Sequence, residues 1–397
     1  MDMRKLGKIT KVFVISLLCV IIVSSVAIYA FAIKRPTTIP VMADTKPYKW
    51  NKVTLGEKVL SSDGSEYYLW TKKGENPNWI IFFSGGGVSW DAESASHPIK
   101  IMNFMTGRDT GNYFANIPFY MLTLLGGMLA TDNPDNPFKE WNVVYIPYST
   151  GDFHVGNNSA EYKKKNGSSF TMHYNGKNNV QSSLDWIYAN VDKPDKLLIA
   201  GESAGGFGSA FWANTIAKHY NESEIYQYSD SSYLNSDKWP DIVKNEWHAD
   251  FKQTFGFSPE ADLIGSAVKA NSHLLPANAV LLQSYSLFDE ILIHFQNKIN
   301  DYTGPFDQRN VADWSRQMRE STKALDSSIP NYYYYLTDYG LNAKTGTTPH
   351  TFATRETFYK AEQDGVKLLN WLDDIINKQK NYSVGHKFIE ELDNGQD

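Results

Sequence analysis

The chain has 397 residues, 42% hydrophobic and 14% aromatic, enough to build a packed core and to exclude a globally disordered protein. Six of its 38 basic and one of its 44 acidic residues fall within residues 1–35, so the remainder carries a net charge of −11. No basic patch interleaves with aromatics, which makes nucleic acid a poor partner, and a polyanionic polymer would need a local cationic cleft.

Residues 1–11 are a basic segment with Arg4, Lys5, Lys8 and Lys11. An uncharged apolar run, 12–33, follows and ends at Lys34-Arg35. Its length suffices to cross a bilayer and predicts a transmembrane signal anchor. Ala30-Phe31-Ala32 offers a cleavage site, so the alternative is a removed signal peptide. The basic excess before the run orients the N-terminus to the cytoplasm and the rest outward, either held at the cell membrane or secreted. The single cysteine, Cys19, lies inside the run, which leaves the exported part without a disulfide and reads as a bacterial-type exported protein.

Residues 34–49, with Pro36 and Pro40, read as an extended linker, 50–380 as one domain and 381–397 as a tail. Nearly continuous apolar runs recur at 79–83, 143–146, 197–200, 279–282 and 332–336, as expected of strands buried on both faces of a parallel sheet. Helical patterns at 178–190, 204–220 and 357–378 alternate with them. The expectation is a single α/β domain with a doubly wound, mostly parallel sheet. The segment 113–127 is unusually apolar and suits a lid, a pocket wall or a packed helical insertion.

Chemistry concentrates at Gly201-Glu202-Ser203-Ala204-Gly205, between the run 197–200 and the small-residue helix that follows. Strand, tight turn and helix are the setting in which G-x-S-x-G exposes a serine above a sheet, and a Cβ at either glycine would clash with nearby backbone. Ser203 is therefore the candidate nucleophile. A serine hydroxyl needs a base and an orienting acid, which on such a fold follow in the order Ser, acid, His. His350, in the loop Thr345-Gly-Thr-Thr-Pro-His350 after the run 332–336, is the candidate base. Asp289, after the run 279–282, is the preferred acid by order, with Asp230 as its rival. Ser84-Gly85-Gly86-Gly87 follows the run 79–83 and, with the N–H of Ala204, suits an oxyanion hole. The glycine loop lacks both G-x-G-x-x-G and a following Gly-Lys-Ser/Thr, which argues against a phosphate loop. Asp152, His154 and His173 are weak metal-ligand candidates, since no H-e-x-x-H pattern or Cys/His cluster accompanies them.

The ordered set of these landmarks, from about residue 50 to 374, resembles the pectin acetylesterase/Notum family of serine carboxylesterases. It comprises Phe82-Phe83-Ser84-Gly85-Gly86-Gly87, the Asn133-to-Asn142 stretch around Trp141, Val144 to Asp152, His173-Tyr-Asn-Gly176, Gly201-x-Ser-x-Gly-Gly206, Asp230-Ser-Ser, Phe288-Asp289 and Pro349-His350. The resemblance implies an α/β-hydrolase-like fold and ester hydrolysis through Ser203, Asp289 and His350. It implies an oxyanion hole from Gly86, Gly87 and Ala204, and no cofactor. It implies an acylated carbohydrate polymer or other ester as substrate, since members remove acetyl groups from pectin or a fatty acyl group from a secreted protein. Val88-Ser89 and Tyr148-Ser149 stand where plant and animal members carry cysteines, so the family disulfides are absent. Two alternatives accompany this reading. One is an esterase for longer acyl chains, with 117–125 as the acyl wall. The other is a non-catalytic glycan-binding module on a hydrolase scaffold.

Overall fold

The computed structural model describes residues 3–27, 36–100 and 111–393. Met3–Ala27 is one helix, and its large apolar side chains between Val12 and Val23 are all exposed. Among the described residues, no helix is long and apolar enough to cross a membrane. Residues 28–33 of the predicted span lie outside the described residues.

Among the described residues the main sheet has nine strands: β1 (Thr37–Thr38), β2 (Trp50–Thr54), β3 (Tyr68–Lys72), β4 (Trp79–Phe83), β5 (Asn142–Ile146), β8 (Lys196–Glu202), β9 (Glu224–Asp230), β10 (Val280–Ser286) and β11 (Tyr332–Thr337). A separate antiparallel hairpin, β6 (Asn158–Lys163) with β7 (Ser169–Tyr174), lies between β5 and β8 in the chain. The sheet order is β1-β2-β3-β5-β4-β8-β9-β10-β11. All pairings from β5 to β11 are parallel, whereas β3 runs antiparallel to β2 and β5. Chain order reverses at β4, which leads to β5 on one side and borders β8 on the other. In open α/β sheets such a switch opens a crevice at the carboxyl ends of the strands.

Every residue of β4, β5 and β10 is buried. Alternation sends Ile81 and Phe83 into one core, with Phe207 and Phe211 of the helix Ala204–His219, and Ile80 and Phe82 into the other, with Trp371 and Leu372. Both faces are covered, which is why these strands read as unbroken apolar runs rather than as alternating ones.

Three predicted boundaries differ. In the expected linker, β1 pairs with β2 and the side chains of Ile39 and Met42 enter the core. The expected helix 357–378 is instead a short helix Thr357–Lys360, a two-stranded turn around Gly365 and a second helix Leu368–Ile376. The first helix ends at Lys360, where Ala361 turns extended, and Asp364 (φ +53°) and Gly365 (φ +78°) make the left-handed turn between the two short strands. The expected tail carries a helix His386–Asp393, and Val384 pairs with Tyr335 of β11.

Candidate active site

Ser203 stands at the switch point, between the end of β8 and the helix Ala204–His219. Its backbone is held at φ 53°, ψ −127°, a strained left-handed conformation for a residue with a side chain. Three hydrogen bonds over-determine it. Ser203 N–H donates to the Asp230 carbonyl (2.8 Å), and the Ser203 carbonyl accepts from Gly206 N–H and from Ser232 Oγ, each at 2.9 Å. The neighbouring glycines are required by close approach. A Cβ on Gly205 would lie 2.0 Å from the Phe83 carbonyl oxygen, and one on Gly201 would lie 2.0 Å from that of Gly205. The elbow and the end of β4 are in contact, backbone against backbone.

That contact sets the glycine loop beside Ser203. Gly87 sits at φ +80°, and a Cβ there would lie 2.0 Å from the Asn112 carbonyl oxygen. The flanking bonds Val88 N–H to Asn112 O (2.7 Å) and Phe114 N–H to Gly86 O (3.0 Å) fix the loop while using neither the Gly86 nor the Gly87 N–H. Among the described residues those two N–H groups donate to nothing. Ala204 is the first residue of its helix, so its N–H has no intrahelical acceptor and stands at the positive end of the helix dipole.

His350 reaches the same place from the loop after β11. Its Nδ1 lies 2.7 Å from Oδ2 of Asp289, which is 1% exposed while the imidazole is 15% exposed. Asp289 follows β10 and caps the helix Glu290–Ile299, its Oδ1 accepting from Leu292 N–H at 3.0 Å. A carboxylate fixed by a helix N-terminus holds the imidazole with its proton on Nδ1 and Nε2 free to accept another.

Asp230, the rival acid, does other work. Its buried carboxylate accepts from the N–H groups of Phe352 and Ala353 (2.7 and 2.8 Å) and from Ser284 Oγ (2.7 Å). It ties the segment following His350 to β9 and β10. Burial pushes its carboxyl above the ordinary value, against the pull of these donors.

Ser203, His350, Gly86 and Gly87 open on one cavity of about 680 Å³. Ile99, Phe114, Ile117, Met121, Leu124, Leu125, Ile291 and Phe295 form its apolar wall, so the segment 113–127 is a pocket wall. Glu202, Thr354 and Arg355 also line it, and sequence reasoning did not single them out. Thr354 Oγ1 lies 2.8 Å from each carboxylate oxygen of Glu202. Burial raises the Glu202 carboxyl above its usual range, and the charge of Arg355 opposes this. The only sequence signal for Glu202 was its place inside the pentapeptide.

The weak metal candidates are not gathered together. His173 Nδ1 pairs with Ser159 Oγ at 2.8 Å, while Asp152 and His154 are buried in a network of their own. Among the described residues, no group of three or more His, Cys, Asp or Glu side chains is arranged to hold a metal ion.

A strained serine, a carboxylate-held histidine and, among the described residues, two loop N–H groups without an acceptor open on one cavity of an α/β fold, the parts that ester hydrolysis requires. The family model for pectinacetylesterase matches residues 48–256, over half the chain, and the protein belongs to that family of carboxylic ester hydrolases. Two crystal forms of the Wnt deacylase Notum from Drosophila share the fold. The first has 16% identity and a TM-score of 0.56 over 84% of this chain and 94% of that one. The second has 16% identity and a TM-score of 0.55 over 83% and 93%. No curated protein matches the chain by sequence.

Proposed function

We propose that the protein is an exported serine carboxylesterase that removes acyl groups from an O-acylated carbohydrate, with O-acetylated polysaccharide as its substrate class. Ser203 is the nucleophile, His350 the general base and Asp289 the residue that orients and charge-stabilises the imidazole. The single observation that carries this is the 2.7 Å bond from His350 to buried Asp289 on the cavity that holds Ser203 at its strained elbow.

As Ser203 Oγ attacks the ester carbonyl, His350 Nε2 takes its proton, and the carbonyl oxygen becomes an oxyanion. The N–H groups of Gly86, Gly87 and Ala204 receive that charge without reorganising. The imidazolium returns the proton to the leaving alcohol, here a sugar hydroxyl, and leaves an acyl-serine. Water then enters, His350 takes its proton, and the acid is released as Ser203 is regenerated.

One observation favours a second reading, hydrolysis of longer acyl esters. The cavity far exceeds an acetyl group in size, and most of its lining is apolar. In the first reading this wall packs against the sugar faces; in the second it holds the acyl chain.

Export rests on the basic N-terminus and the uncharged run 12–33, read as a membrane anchor or a cleaved signal that leaves the catalytic body outside the cytoplasm. Initial rates of the full-length protein on nitrophenyl acetate and nitrophenyl octanoate, each against Ser203→Ala, test the proposal. Acetate preferred, with the variant inert, supports the deacetylase. Octanoate preferred supports the second reading. A fully active variant removes both.

A further inference from the structure

His154 is buried, yet it takes no part in the proton transfers above. It occupies a left-handed backbone conformation, φ +67°, that a side-chained residue adopts only when held. Asp152 holds it. Asp152 Oδ1 accepts from His154 N–H (3.1 Å) and Thr150 Oγ1 (2.6 Å), and Oδ2 accepts from the N–H groups of Gly156 (3.1 Å) and Gly176 (2.8 Å). The result is a rigid turn that aims one imidazole in one direction.

That direction is the glycine loop. His154 Nε2 lies 3.0 Å from the carbonyl oxygen of Ser84, the residue that opens Ser84-Gly85-Gly86-Gly87. A carbonyl only accepts, so Nε2 carries the proton and donates. The ring packs edge-on against Phe83 (5.2 Å) and, tilted by 39°, against Tyr148 (4.7 Å), whose own backbone N–H donates to Ser84 Oγ at 2.9 Å. Its other side abuts the nucleophile's helix: a Cβ on Gly208 would meet His154 Cδ2 at 2.6 Å, and Trp212 Nε1 donates to the His154 carbonyl at 3.0 Å. One residue therefore touches both bodies that carry the oxyanion donors, the loop with Gly86 and Gly87 and the helix that begins at Ala204.

We propose that His154, anchored by Asp152, is a positioning residue of the oxyanion hole: its Nε2–H holds the Ser84 carbonyl so that the following glycines turn their N–H groups into the cleft. This rests on the oxyanion role proposed above for those glycines. The peptide group after Ser84 has two faces. With its carbonyl drawn back to His154, the chain enters the loop in a single orientation. Without that donor the carbonyl is left buried without this partner and the loop gains an alternative rotation.

The test compares His154→Gln with His154→Met in the full-length protein. The two side chains have nearly the same shape, and only Gln keeps an N–H donor at the Nε2 position. With nitrophenyl acetate, kcat of the Met variant is expected to fall about 10- to 100-fold below that of the Gln variant, less than the loss of a whole oxyanion donor. KM should stay within about twofold, since the acyl wall is untouched. Equal melting temperatures show that the pair differ in the site and not in folding. Equal kcat values in the two variants overturn the inference. If neither accumulates folded, imidazole NMR of the wild type decides. An Nε2–H tautomer whose proton signal moves when a boronic acid adds to Ser203 supports the role, and an Nδ1–H tautomer or an unmoved signal overturns it. Ser203→Ala is the companion control. A dead Ser203→Ala beside equal Gln and Met variants defeats this inference alone, whereas an active Ser203→Ala removes the mechanism beneath it and the inference with it.

Discussion

Asp289 makes two bonds with two oxygens: Oδ2 meets His350 Nδ1 at 2.7 Å, and Oδ1 caps the next helix at Leu292 N–H, 3.0 Å away. Asparagine at this position can still cap the helix but presents an amide, not a charge, to the imidazole. Asp289→Asn should thus keep the wild-type melting temperature within a few degrees and lose about 10³- to 10⁴-fold in kcat. Initial rates on nitrophenyl acetate beside a thermal melt check both halves. A stable variant with near-normal kcat would remove Asp289 from the mechanism.

Asp230 should behave in the opposite way. Replacing it by alanine strands the buried N–H groups of Phe352 and Ala353, while the Ser284 hydroxyl keeps its 2.7 Å bond with the Tyr228 hydroxyl. Each stranded donor costs about 1–3 kcal/mol, so Asp230→Ala should lower the unfolding free energy by about 2 kcal/mol or more. Urea denaturation reads this directly. Full stability of the variant would show that the His350 segment is held by other contacts.

Asp152 and His154 respond to pH in opposite senses. Burial lifts the Asp152 carboxyl from 3.8 to about 6 and lowers the His154 imidazole from 6.5 to about 4. Between these values the folded protein binds more protons at Asp152 than the unfolded chain does, so this group's contribution to stability falls as pH rises. At His154 the folded protein binds fewer, so that contribution is complete above pH 6.5 and is lost as pH falls toward 4. His154→Gln removes the second effect alone. The stability of wild type relative to this variant should grow by about 3 kcal/mol from pH 4 to 6.5 and level off above. Unfolding midpoints across that range test it, and a difference independent of pH would contradict it.

Met121 lies on the apolar wall, and its side chain is half-buried. Met121→Trp fills space that an acetyl group does not need. The rate ratio of octanoate to acetate should fall about tenfold or more, with the acetate rate little changed. Equal losses on both esters would mean that the acyl group does not occupy this side of the cavity.

Much of the candidate site was legible because it is local. The pentapeptide around Ser203, the glycines after β4 and the loop histidine are each read from a few neighbouring residues, and the order of Ser203, Asp289 and His350 follows from topology. The central strands were legible too, since burial on both faces leaves unbroken apolar runs. Strands β2 and β3 were not, because Lys52 and Lys72 interrupt their apolar patterns. Lys72 is buried all the same, its ammonium over the Trp50 ring. Glu202, Thr354 and Arg355 meet only in three dimensions, across about 150 residues of chain, and no local pattern announces that. His154 read as an isolated polar loop residue for the same reason: its partner, Ser84, lies 70 positions earlier.

The most direct test of the account is to find where the enzyme becomes covalently modified. Full-length protein treated with an alkyl fluorophosphonate should gain one adduct by intact mass, and peptide mapping should place it on Ser203. His350→Ala should label far more slowly, since the hydroxyl then lacks its base. An adduct on another residue, or equal labelling of wild type and His350→Ala, would contradict the assignment of Ser203 and His350 as nucleophile and base.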